Sequence, residues 1–115
     1  MESTRLTRNI EAVRQLLAAA IGGAVVEYVE PRGEMRRWGR HLFQCGQPPL
    51  EHRLWLDEQV LEGFDNHRLL AWLKGNDVVK LFATTNDRDV LCATTWSKPE
   101  LIDRIELSET GGTGL

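Results

Sequence analysis

The stretch from Val78 to Leu107, VVKLFATTNDRDVLCATTWSKPELIDRIEL, constrains the architecture more than any other part of the chain. Two apolar runs, Val78–Thr85 and Val90–Trp96, flank Asn86-Asp87-Arg88-Asp89, a polar loop of the size that closes a β-hairpin. Ser97-Lys98-Pro99-Glu100 then has the composition of a helix start, with a serine to accept from the Glu100 N–H and a glutamate to reach back. The expectation is a hairpin covered by a helix carrying Leu101, Ile102 and Ile105 inward.

Upstream, Leu6, Ile10, Val13, Leu17 and Ile21 recur at helical spacing, and Gly22-Gly23 supplies a left-handed stop. Ala24–Glu30 is rich in β-branched and aromatic residues, and Pro31-Arg32-Gly33 ends it with turn chemistry. Glu34–Gln44 reads as a second strand, charged on both faces and therefore solvated or at an edge. Leu50–Leu56 reads as a third, with His52, Leu54 and Leu56 opposite Arg53 and Trp55. Asp57 can cap a short turn holding Val60, Leu61 and Phe64, and Asp65 or Asn66 can cap a helix that runs to Lys74.

These segments predict an α+β fold in one domain over 1–107, in the order α-β-β-β-α-β-β-α, with a flexible tail at 108–115. The sheet is expected to be antiparallel, with about five strands and the helices mainly on one face. At 115 residues and −3 formal charge, the chain has no general electrostatic footprint for nucleic acid. Its longest apolar run, Leu16–Ile21, is too short to span a bilayer. Two widely separated cysteines, Cys45 and Cys92, fit a cytoplasmic chain with reduced thiols better than a secreted disulfide scaffold.

No motif identifies a reaction. His41 and Cys45 are four apart and His52 lies across the Pro48-Pro49 loop, so a metal site or a Cys-His pair can be drawn on paper; buried thiols and structural histidines are the commoner outcome. Glu27, Glu30 and Glu34 are candidate bases only if one is desolvated. The most suggestive segment is Arg32–His41, where four arginines accompany Trp38, although Arg36 and Arg40 fall on the opposite strand face from Arg37. Among the four tryptophans, Trp72 and Trp96 look like core, whereas Trp38 and Trp55 sit on charged strands where partial exposure is expected.

The reading is a small accessory or regulatory binding protein, acting through homo-oligomerisation and a protein or small-molecule surface. Its candidate binding residues are Arg36, Trp38, Arg40, His41, His52 and Trp55, with no catalytic residue, metal or cofactor assigned. The alternatives are a small enzyme using His41, His52 or a strand glutamate, and an arginine-mediated nucleic-acid binder.

Overall fold

The computed structural model describes residues 4–30, 39–47 and 50–105, and the fold is α+β. In chain order the elements are α1 (Thr4–Ala20), β1 (Glu27–Val29), β2 (Arg40–Gln47), β3 (Leu50–Asp57), α2 (Glu58–Leu61), α3 (Asn66–Gly75), α4 (Val78–Thr84), β4 (Asp89–Cys92) and β5 (Glu100–Ile102). Five strands form one sheet in the order β1-β2-β3-β4-β5. Among the described residues, no helix is long and apolar enough to cross a membrane.

Where periodicity and caps agree, the expectations hold. Val13 and Leu17 on α1 are fully buried, with Leu6, Ile10 and Ile21 packed beside them. The helix stops at Gly22 and Gly23, both at positive φ, and the Gly23 N–H donates to Ala18 O at 2.8 Å. Asp57 accepts from the Gln59 N–H to start α2, and Asp65 accepts from the Arg68 N–H to start α3.

Several expectations fail. Val78–Thr84 is a helix, not the first arm of a hairpin. Its β-branched residues favour a strand, but a strand would place Lys80 on one face with Val78 and Phe82. At helical spacing Val78 and Phe82, four apart, are buried together while Lys80 and Thr84 turn to solvent. The segment beginning at Ser97 is not a helix either. The Thr94 hydroxyl oxygen accepts from the Ser97 N–H at 3.0 Å and bonds the Ser97 hydroxyl, so the serine closes a turn in place of capping. Pro99 then precedes the edge strand β5, where its missing N–H costs no ladder bond.

With α4 a helix, β3 and β4 are joined by the whole of segment 58–88 and pair in parallel, Leu54 beside Val90 and Trp55 beside Leu91. The sheet is therefore mixed rather than wholly antiparallel, because a crossover of this length can return the chain in the same direction. The element order becomes α-β-β-β-α-α-α-β-β. β2 also departs from its expected place. It lies inside the sheet, between β1 and β3, and its described part starts at Arg40, just before His41, Leu42, Phe43 and Cys45 are buried.

Strand alternation divides the core in two. Phe43, Leu54, Leu56, Val90 and Cys92 face the helices and join Val13, Leu17, Leu69, Leu73 and Phe82. Leu42, Trp55 and Leu91 face the other way, under Val29, Ala93, Ile102 and Ile105. The helices accordingly gather on one face, as the patterning suggests.

The helical assignment of Val78–Thr84 makes a mutational prediction. Phe82→Ala should lower unfolding stability by about 3–5 kcal/mol, whereas Lys80→Ala should change it by less than about 0.5 kcal/mol. Urea titration of the two variants measures both; comparable losses would contradict the helical face.

Candidate functional site

The β2–β3 ladder brings the candidate residues of the sequence together and then uses most of them up. Cys45 lies directly opposite His52, His41 opposite Leu56, Arg40 opposite Asp57 and Leu42 opposite Trp55. His41 is buried and stacks on Tyr28 with ring centroids 5.8 Å apart, its Nδ1 bonded to the Tyr28 hydroxyl at 2.6 Å. Burial lowers the His41 pKa from its ordinary value, against the opposing pull of the Glu58 and Asp57 carboxylates. His52 places Nδ1 2.8 Å from Phe82 O. Since a carbonyl only accepts, Nδ1 carries the proton and satisfies an otherwise unpaired carbonyl in the last turn of α4.

The thiols are unsuited to nucleophilic work. Burial pushes the Cys45 pKa up, and the nearby Glu27 carboxylate adds to it; burial alone pushes Cys92 to about 12. Both are free cysteines that stay protonated at neutral pH. Among the described residues, no group of three or more His, Cys, Asp or Glu side chains could hold a metal ion. Arg40 is half-buried at the start of β2. Arg36 and Trp38 lie outside the described residues.

Trp55 departs from the expected exposure. Only 2% of it is accessible, on the sheet face away from the helices, and its indole N–H donates to Asp89 Oδ2 at 2.8 Å. Asp89, expected in a turn, is the most heavily engaged polar side chain described. Its Oδ2 also accepts from the Ile105 N–H at 3.1 Å, and its Oδ1 from Arg104 at 3.2 Å. The buried Arg53 guanidinium lies 3.4 Å from Oδ1, sits over the Trp55 ring and donates to Ile105 O. Arg104 reaches on to the carbonyls of Glu51 and Asn86. A buried carboxylate with two guanidiniums and two N–H donors is fully compensated, which fits a structural junction.

The surface that remains chemically available is elsewhere. Between the start of α4 and the β4–β5 connection runs a cleft of about 530 Å³, lined by Asn76, Asp77, Lys80, Leu81, Lys98 and Pro99 among others. That volume suits a small ligand, for which pockets of roughly 300–1,000 Å³ are usual. Two of the chain's three lysines are here. Neither ammonium has a carboxylate or hydrogen-bonding partner among the described residues. Two residues before Lys98, Trp96 is 79% exposed, correcting its expected place in the core. The bend is held from behind, where the Trp72 indole N–H donates to Thr95 O at 3.0 Å. Leu101 on β5 is 42% exposed and pairs with Val90, so it projects on the helix side of the sheet.

The sequence signal for this cleft was modest. Lysine is scarce in an arginine-rich chain, and Lys80 interrupts what would otherwise be an apolar run; neither fact says that Lys80 and Lys98 line one cleft. Comparisons of the chain with protein-family models, with curated proteins and with solved structures returned no match.

Two predictions follow from this geometry. Asp89→Asn should cost about 3–5 kcal/mol in chemical denaturation, because it removes the buried negative charge that faces the Arg53 and Arg104 guanidiniums. For His41 the folded pKa lies below the ordinary 6.5, so on acidification the unfolded chain takes up its proton first. Its contribution to stability is complete above pH 6.5 and declines as pH falls through the window beneath it. Ring-proton NMR titration should place the His41 midpoint below 6.5; a midpoint above that value would contradict its burial as a neutral ring.

Proposed function

We propose that this chain is a small accessory binding protein whose working surface is the cleft between α4 and the β4–β5 connection, together with the exposed Trp96 of that connection. The carrying observation is a pair of lysines, unpartnered among the described residues, that line one cleft, with a tryptophan that is 79% exposed two residues before one of them. Unpaired cations and an exposed aromatic are features of recognition surfaces, where specificity comes from a few polar groups set against an apolar wall. Leu81 and Pro99 supply that wall.

Binding is favoured over catalysis by the state of the reactive groups. The His41 and His52 rings are each committed to an internal hydrogen bond, and both thiols are held protonated by burial. A cytoplasmic setting belongs to the same reading, since Cys45 and Cys92 are free and unpaired with one another.

A homodimer is a second reading, favoured by one observation: β5 is an edge strand among the described residues, and Leu101 on it is exposed and apolar. An open strand edge beside apolar side chains can pair with a second copy.

Amide NMR with a set of small phosphates, carboxylates and uncharged heterocycles tests the cleft. The expected shifts cluster at Lys80, Leu81, Trp96 and Lys98; binders that perturb only other surfaces would overturn the assignment. Sedimentation of the wild type and Leu101→Asp tests the dimer. Concentration-dependent association that the substitution abolishes supports it, and a monomer at every concentration removes it.

A further inference from the structure

The lining of the cleft is specific enough to name the chemistry of its ligand. Lys80 and Lys98 come from different elements, α4 and the β4–β5 connection, and converge on one space with Asp77 as the carboxylate of the lining. The charge balance there is positive although the chain as a whole carries −3. The neutral side-chain donors of the lining are partly engaged: Thr84 Oγ1 donates to Lys80 O, and Asn76 Nδ2 gives one of its two N–H groups to Trp72 O. The lysine ammoniums are the charged donors of the lining. Lysine acts as a compact point charge with freely rotating donors, which suits a tetrahedral phosphate; planar carboxylate recognition more often uses the arginine fork, absent from this lining.

Trp96 adds the second half. A tryptophan exposed to 79%, two residues from Lys98 and on a bend braced by the Trp72 indole, offers a flat apolar face on the same connection as Lys98. Such a face stacks on planar rings with little regard for their hydrogen-bonding pattern. Resting on the reading of the cleft as the working surface, we propose that it binds a phosphomonoester with a planar aromatic body, such as a mononucleotide. The phosphate sits between Lys80 and Lys98, and the ring lies on Trp96.

Calorimetry and amide NMR with adenosine monophosphate, glycerol phosphate, adenosine and sodium acetate separate the parts. Adenosine monophosphate should bind most tightly, glycerol phosphate more weakly, and binding of both should weaken as salt rises. Lys80→Gln and Lys98→Gln should each weaken adenosine monophosphate about tenfold, the scale of one charge-assisted hydrogen bond. Trp96→Ala should also weaken adenosine monophosphate about tenfold, the scale of one stacked base, while leaving glycerol phosphate unchanged. All three positions are exposed, so the variants should keep the wild-type unfolding midpoint. Binding of adenosine monophosphate that is indifferent to both lysine substitutions overturns the phosphate assignment, and equal binding by Trp96→Ala overturns the ring. If acetate or adenosine shifts the cleft amides and neither phosphate does, the phosphomonoester is wrong and the cleft stands. If none of the four probes moves those amides, both fall.

Discussion

The Asp89 carboxylate is the junction on which the far half of the sheet depends. It sits at the first position of β4 with no accessible surface and receives the Trp55 indole from β3, the Ile105 amide from beyond β5 and the Arg104 guanidinium. In the parallel pairing of β3 with β4, Leu54 lies beside Val90 and Trp55 beside Leu91, but β4 is buried on both faces, so its apolar side chains alone would tolerate a one-residue slip. A buried charge changes that. A slip by one residue would turn the Asp89 carboxylate toward the helix-side core, away from its guanidinium and N–H donors, at a cost of several kcal/mol. The charged cluster thus selects one register among the apolar alternatives and binds the segment after β5 to the sheet.

The cleft lies at the other end of β5 from this junction. Arg104 and Ile105 tie the chain that follows β5 to Asp89, while the β4–β5 connection that precedes it supplies Lys98 and Pro99 to the same cleft as Lys80 and Leu81. Asp77 contributes from the other wall. It is a non-glycine residue at φ 60°, and this left-handed step sends the chain directly from the end of α3 into α4. The cleft is thus set by two turns, one at Asp77 and one at Thr94–Ser97, each next to rigid structure.

How much of this was legible in the sequence depended on whether a signal was local. The face of α1, the glycine stop, the caps at Asp57 and Asp65 and the alternation of His52, Leu54 and Leu56 all follow from residues a few positions apart, and all are present. Val78–Thr84 misled because its β-branched content and its helical burial conflict. Burial against α1, α3 and β3 won, with Lys80 as the one residue that betrayed the period. Ser97 misled because the same hydroxyl chemistry that caps a helix also closes a turn with Thr94. The candidate site was less legible still. His41, Cys45 and His52 do converge through the β2–β3 register, yet burial and internal hydrogen bonds occupy them. Trp55 and Trp96 exchange their expected places, since exposure depends on which elements cover a side chain and not on the charges beside it in sequence.

The central claim is that the buried polar residues build the molecule and that Lys80, Lys98 and Trp96 are left to work. A crystal structure of the chain grown with adenosine monophosphate tests this most directly. The account predicts phosphate density bridging the Lys80 and Lys98 ammoniums, with the base stacked on the Trp96 indole. Density for the nucleotide at another surface, with the two lysines unengaged, would contradict it.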